Sequence, residues 1–177
     1  MVFKSSKGFT LIEMIIVIVI LSIVSAITIY FLINSLKVYT MTVNQKTLFD
    51  EGKLALERMC RDIRDARSIT SVTADSITFV RNSTTAQDIA GETITFQRNT
   101  SASTLEKVKA SPASTTTMAE HVTAFSVTNS TNEILLQLTL NWASAGTVTL
   151  QTKVYPKNLA KDSTYKNFFQ KWKEKVS

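Results

Sequence analysis

The chain has 177 residues, enough for one domain of ordinary size with an extension but not for two full domains. Its formal net charge is +6, and the excess lysines lie at the two ends rather than in a central basic groove with aromatic side chains for stacking bases. Nucleic acid is therefore not expected as a partner. Because Cys60 is the single cysteine, no intrachain disulfide can stabilise the core.

The first predicted element is an apolar helix near the N-terminus. Between Phe9 and Ile33 the only formal charge is Glu13, and residues 14–33 are uncharged. A helix needs about 20 apolar residues to cross a bilayer, whereas a cleaved secretory signal has an apolar core of only about 7–15. The run continues past the small pair Ser25-Ala26, so the pattern favours a membrane-spanning helix.

The basic residues around this segment predict its orientation. Lys4 and Lys7 precede the apolar run, and the positive-inside bias places them in the cytoplasm. Lys37 and Lys46 follow the run and weaken the bias without reversing it. We therefore expect a single pass through the inner membrane, with everything after Asn34 outside the cytoplasm.

Glu13 is the residue that a simple anchor does not require. A charged side chain at the centre of a membrane helix costs about 2.5–3.5 kcal/mol, and less near the membrane edge. Either the carboxylate reaches water at the cytoplasmic interface, or it meets a positive charge on another molecule.

The sequence Lys7-Gly8-Phe9-Thr10-Leu11-Ile12-Glu13, placed before a long apolar helix, resembles the N-terminus of type IV pilins and type II secretion pseudopilins. The resemblance implies that a prepilin peptidase cleaves between Gly8 and Phe9 and methylates Phe9. It also implies that Glu13 acts in assembly by meeting the N-terminal amine of a neighbouring pilin or pseudopilin subunit.

The next segment, up to Arg67, predicts a continuation of the helix. Apolar or small residues recur at helical spacing at Leu48, Gly52, Ala55, Leu56, Met59, Ile63 and Ala66. Charges of both signs occupy the other face, with the pairs Glu57/Arg61, Arg58/Asp62 and Arg61/Asp65 four residues apart, so this face is predicted to be solvated. No proline occurs in residues 9–67, although many major pilins carry one in the apolar half. One helix of about 90 Å is therefore possible.

Beyond Ser68 the apolar period changes to two, which predicts half-buried strands. The alternating sets are Ile77/Phe79, Ile94/Phe96, Phe125/Val127, Ile134 to Trp142 and Val148 to Val154. Polar segments at 82–91, 99–103 and 110–117 are predicted as loops, and residues 142–147 as a hairpin connection. We expect one mainly antiparallel sheet packed on the apolar stripe of the helix.

Together these elements predict an α+β, pilin-like fold. The expected parts are a leader at 1–8, a transmembrane half-helix at 9–33, an amphipathic half-helix at 34–67, a β-sheet domain at 68–158 and a basic amphipathic tail at 159–177. In the tail, aromatic and apolar residues stand at helical spacing, which is typical either of a helix docked on the sheet or of a surface for a neighbouring subunit or an anionic partner.

Two shorter segments narrow the expected function. Residues 52–59 and 154–159 resemble minor pilins and J-type pseudopilins, which implies a minor subunit without separating a pilus from a secretion pseudopilus. The competing hypothesis is a membrane-anchored domain that binds DNA, a surface or an exported protein.

No catalytic or metal-binding motif is apparent. The spacings of zinc, EF-hand, P-loop and GxSxG sites are missing, and His121 is the single histidine. We therefore expect no enzyme activity, no metal and no cofactor.

Overall fold

The computed structural model describes residues 8–130 and 133–159, and in this part of the chain one long helix precedes eight β-strands. The helix α1 spans Leu11–Arg64. The strands are β1 Ala66–Val72, β2 Ser76–Arg81, β3 Thr93–Asn99, β4 Thr104–Ala110, β5 Ala113–Ala119, β6 Val122–Ser130, β7 Glu133–Trp142 and β8 Gly146–Val154. The chain divides into two compact units, Met1–Thr42 and Val43–Ser177.

The described part of the first unit is the N-terminal portion of α1. Its apolar side chains are exposed around the whole helix, with fractional exposures from 47% upward among the large ones. Helix α1 contains a stretch long and apolar enough to cross a membrane, and no residue of that stretch is buried within the chain. A helix that is apolar on every side requires an apolar environment supplied from outside the chain.

In the second unit, the remainder of α1 packs through one face onto the strands. The buried residues of this face are Leu48, Gly52, Ala55, Leu56, Met59 and Ile63. Gly52 is the point of closest approach, since a Cβ built there would lie 2.8 Å from Leu140 Cδ1 and 2.9 Å from Leu150 Cδ1. Glycine therefore allows the helix backbone to lie against two leucines of β7 and β8.

The strands form two antiparallel sheets with neighbours in sequence order. The five-stranded sheet has the order β1-β2-β3-β4-β5, and the three-stranded sheet has the order β6-β7-β8. Cross-strand partners such as Phe79 with Ile94 and Leu138 with Leu150 set the register. This register directs alternate apolar side chains into one core shared with α1.

The expectation of an α+β, pilin-like architecture with a long N-terminal helix on antiparallel strands is confirmed. The five strands predicted from alternation correspond to β2, β3, β6, β7 and β8, and a loop falls at 82–91 as expected. The loop predicted at 99–103 covers residues 100–103, because Asn99 still belongs to β3. The hairpin at 142–147 is also confirmed, with Gly146 at φ +79° where β8 begins.

Three predictions about this domain were wrong. The strands form two sheets rather than one, and Ala66 begins β1 rather than extending the helical face. Residues 110–117, predicted as a loop, contain most of β5, with only Ser111 and Pro112 between β4 and β5. Strand β5 is held at a sheet edge by backbone pairing to β4, and most of its small polar side chains are exposed, so it has no apolar alternation to reveal it.

Candidate functional site

The start of α1 is fixed by a threonine cap. Thr10 precedes the helix, and its Oγ1 accepts a hydrogen bond from the backbone N–H of Glu13 at 3.3 Å. The Thr10 carbonyl also accepts from the N–H groups of Glu13 at 3.1 Å and Met14 at 3.2 Å. Thr10 and Glu13 have the spacing of a capping box, which satisfies N–H groups that the first helical turn leaves free.

Glu13 lies in the first turn of α1, with its side chain exposed. A carboxylate at this position interacts favourably with the positive end of the helix dipole. The helix start therefore gives Glu13 a local role that the sequence interpretation had not included, in addition to either a water contact or a partner charge.

Gly8 and Phe9 lie on the chain just before the cap. A Cβ built at Gly8 would meet no atom within 4 Å, and Gly8 is not among the glycines with positive φ. Neither the backbone conformation of Gly8 nor its packing against the residues that the structure describes requires glycine at this position. Phe9 is 76% exposed, so its ring has no packing partner of consequence in the described part of the chain.

The apolar surface that follows is well suited to a membrane or to other apolar helices. Two hydroxyl groups within this surface form hydrogen bonds inside the helix. Ser22 Oγ donates to the Ile18 carbonyl at 2.7 Å, and Thr28 Oγ1 donates to the Val24 carbonyl at 2.8 Å. Hydroxyls bonded in this way add little cost to burial in lipid.

A second group of polar residues, which the sequence did not single out, lies inside the globular unit. Arg81, which is 3% exposed, contacts Asp62 at 2.8 Å and Asp88 at 2.9 Å. Lys107 contacts the same two carboxylates at 2.9 Å and 2.7 Å, and Lys109 contacts Asp88 at 2.5 Å. We call these five residues the buried ion cluster; it connects α1, β2, β4 and the loop between β2 and β3.

The electrostatics of the cluster favour an ionised Asp88. Burial raises the pKa of Asp88, but hydrogen bonds from Lys107 and Lys109 outweigh that effect and leave the pKa below its usual value. The side chain of Glu92 is also buried, and its Oε1 lies 4.0 Å from Lys109 Nζ. The cluster has the geometry of a structural network that holds the loop against the helix.

This cluster corrects the prediction that the charged face of α1 is simply solvated. Asp62 and Asp65 face Arg81 instead, at 2.8 Å and 3.6 Å. Among the described residues, the ion pair within the helix is Lys53 with Glu57 rather than any of the three predicted pairs. The spacing of charges along a helix cannot show that a strand places an arginine next to them. The sequence did contain one signal of a buried ion pair, because Arg81 follows directly after the alternating apolar residues of β2.

The groups that could support catalysis are dispersed. Within residues 8–130 and 133–159, no group of three or more His, Cys, Asp or Glu side chains is arranged to hold a metal ion. Burial raises the pKa of the Cys60 thiol, although a hydrogen bond to Thr152 opposes the shift, so the thiolate form is disfavoured. His121 is stacked on Trp142, with ring centroids 4.7 Å apart.

The fold and the helix start define a pilin-like architecture: one long helix, apolar and exposed in its N-terminal portion, followed by antiparallel β-sheets. Residues 3–29 match the family model described as the prokaryotic N-terminal methylation motif. No curated protein and no solved structure matches the chain. The motif is the hallmark of type IV pilins and pseudopilins, and it supports a protein of that family.

The motif has consequences for processing and location. It implies processing by a prepilin peptidase and assembly with other pilin subunits in a membrane-associated filament. Together with the apolar helix it indicates membrane anchoring of a C-terminal globular domain. Members of the motif family are structural subunits rather than enzymes. The predicted leader up to residue 7 and the predicted amphipathic tail from residue 160 lie outside the described residues.

Proposed function

We propose that this protein is a minor pilin or pseudopilin, a structural subunit of a type IV pilus or a type II secretion pseudopilus. The observation that carries the proposal is the matched N-terminal motif leading into a helix whose apolar side chains are exposed on every side. Such a surface is costly in water and is covered when the helix lies in a membrane or among the helices of a filament.

The first step in this function is cleavage between Gly8 and Phe9, followed by methylation of the new Phe9 amine. The support is that no contact with residues 8–130 or 133–159 requires glycine at position 8, while Gly8 and Phe9 are exposed and accessible to an enzyme. Intact mass measurement of the protein from cells with a prepilin peptidase should give a chain that begins at Phe9 and carries one methyl group.

A variant pair makes the processing test specific. Gly8→Val should leave the full-length chain uncut, whereas Ser5→Val, which places the same side chain elsewhere in the leader, should be processed like the wild type. A wild-type chain that keeps its first eight residues, or a Gly8→Val chain that loses them, would contradict the proposed site.

The second step is assembly through Glu13. In our proposal its carboxylate meets the Phe9 amine of a neighbouring subunit, because a carboxylate in an apolar environment recovers much of its desolvation cost by pairing with a cation. The same pairing fixes the axial position of one helix against the next. With the basic leader in the cytoplasm, the globular domain then lies outside the inner membrane.

Three substitutions separate this role from a local role of Glu13 at the start of the helix. Glu13→Gln keeps a residue suited to the capping box but loses the charge, Glu13→Val loses both, and Glu13→Asp keeps the charge. If charge pairing drives assembly, the Glu13→Gln and Glu13→Val proteins should both enter the membrane yet be depleted from sheared filaments. The Glu13→Asp protein should be retained better in the filaments. A Glu13→Gln protein that assembles like the wild type would show that Glu13 contributes to the start of the helix rather than to charge pairing between subunits.

The competing function, a membrane-anchored binding domain, differs in where the protein is found. A filament subunit should appear in sheared pili, or in pseudopili formed when a secretion system is overproduced. A protein that remains entirely in the membrane fraction, even with intact assembly machinery, would favour the tethered binding domain.

A further inference from the structure

A groove of about 530 Å³ runs along the second unit between α1 and β8. Apolar side chains of both elements line it, among them Leu56 of α1 and Leu150 of β8. Its volume lies in the range of ligand sites, about 300–1,000 Å³. Neither the N-terminal motif nor the proposed role of α1 in the membrane uses this groove.

The groove exposes the edge of a β-strand. Successive side chains of a strand point to opposite faces of its sheet, so a groove on one face would be lined by every second residue. Here four consecutive residues of β8, numbers 150–153, line the groove. The groove therefore runs beside the backbone of β8.

The edge of β8 is available for pairing. Within the part of the chain that the structure describes, β8 forms its ladder with β7 alone. In an antiparallel pair, every second residue directs its N–H and C=O away from the neighbouring strand. The outer edge of β8 thus presents backbone donors and acceptors that another extended chain can satisfy.

The groove is also basic. It is lined by Lys53, Arg61, Arg64 and Lys153, against the single acidic residue Glu57. Lys53 lies 3.9 Å from Glu57, and Lys153 contacts Glu133 at 2.7 Å. Among residues 8–130 and 133–159, no carboxylate forms an ion pair with Arg61 or Arg64, and both side chains are exposed.

We propose that this groove binds an extended acidic segment of another protein, which adds to the three-stranded sheet as a fourth strand beside β8. Backbone hydrogen bonds to β8 would supply the register, alternate apolar side chains would contact Leu56 and Leu150, and carboxylates on the remaining side chains would meet Arg61 and Arg64. The binding requires neither cleavage of the leader nor filament assembly.

Charge argues against the other occupants of the groove. A second copy that paired through its own β8 would bring the basic side chains of its groove against those of the first. The chain's own residues 160–177 contain five lysines but only Asp162 and Glu174 as acids, so they also carry a positive net charge. Like charges facing each other at an interface weaken binding.

The test uses the full-length protein in neutral detergent micelles and fluorescent, N-acetylated hexapeptides. The probe has the sequence Val-Glu-Val-Asp-Val-Glu, and its matched control replaces every acid with lysine. Fluorescence anisotropy should detect binding of the acidic probe that weakens with added salt, and the lysine peptide should bind at least about tenfold more weakly. Equal binding of the two peptides would overturn the role of charge.

Backbone methylation of the probe tests strand addition directly. Two versions of the acidic peptide carry N-methyl groups on the odd or on the even residues, so that one version loses the N–H groups facing β8 and the other does not. We expect one version to lose binding at least about tenfold and the other to bind nearly as well as the parent. Equal affinities for the two versions would overturn the proposal.

Protein variants locate the site. Arg61→Glu and Arg64→Glu should each weaken the acidic probe about five- to tenfold, since each change replaces an attraction with a repulsion. Arg58→Glu is the matched control, because Arg58 is exposed on the same stretch of α1 but does not line the groove. If all three variants lost the same amount of affinity for the acidic probe, the probe would be responding to net charge alone. That result would refute binding in the groove. Probe binding that appears only after removal of residues 160–177 would identify the chain's own tail as the occupant and would also refute it.

Discussion

Replacing Asp88 with asparagine tests whether the buried ion cluster stabilises the globular unit. Asp88 is 4% exposed and contacts Arg81, Lys107 and Lys109. Asp88→Asn preserves the size of the side chain but removes the negative charge that these three cations share. Lys109 is then left with Glu92, 4.0 Å away, as its nearest carboxylate partner.

The size of the stability loss depends on which cations of the cluster keep a carboxylate partner after the substitution. Breaking a buried ion pair by removing one charge typically costs about 3–5 kcal/mol. Asp62 continues to contact Arg81 at 2.8 Å and Lys107 at 2.9 Å, so two of the three cations remain paired. The asparagine carbonyl can still accept a hydrogen bond. We therefore expect the free energy of unfolding to fall by about 2–3 kcal/mol.

Denaturant unfolding of the full-length protein in micelles measures this loss. Trp142 on β7 reports on the globular unit when the other tryptophan is removed by Trp172→Phe in all variants. The matched control is Asp75→Asn, which makes the same chemical change at an exposed aspartate that forms no ion pair in the described part of the chain. The control should change stability by less than about 0.5 kcal/mol.

The stabilisation should also depend on pH with a defined sign. Hydrogen bonds from Lys107 and Lys109 lower the pKa of Asp88 in the folded protein below that of an unfolded aspartate. Its contribution to stability is therefore present above the unfolded-state pKa and is lost as pH falls through the lowered folded-state pKa. The stability difference between wild type and Asp88→Asn should be constant near neutral pH and shrink below about pH 4. A loss no larger than that of Asp75→Asn, or a difference that grows on acidification, would refute the reasoning.

Three further predictions concern other parts of the chain. Gly52→Val should destabilise the globular unit by about 2 kcal/mol or more, because even a single Cβ lies under 3.0 Å from two leucine methyl groups, and Gly52→Ala should cost less in the same unfolding assay. Thr10→Ala should speed amide hydrogen exchange at Glu13 about fivefold through loss of a cap worth about 1 kcal/mol, whereas Thr10→Ser should not. Alkylation of Cys60 by iodoacetamide should show an apparent pKa above that of the denatured chain, because burial disfavours the thiolate, and an equal or lower value would contradict this.

The sequence was sufficient for features that depend on local pattern and composition. Residues 14–33 are uncharged at every position and mostly apolar, which predicts an all-round apolar helix without any knowledge of tertiary contacts. The apolar alternation along β7 and β8 identified both strands and the turn between them. The motif around Gly8 and Phe9 pointed to processing, and residues 3–29 match the corresponding family model.

The tertiary structure decided the features in which distant segments meet. Strand β5 exists because β4 satisfies its backbone, not because its own side chains alternate. In the sequence, Asp62 is one more charge on a helix face predicted to be solvated. In the structure, β2 places Arg81, 19 residues later in the chain, within hydrogen-bond distance of it. The groove likewise depends on β8 lying beside α1. The sequence by itself determined periodicity and hydropathy, because these follow from neighbouring residues, whereas edge strands, buried ion pairs and grooves depend on contacts that form only when the chain folds.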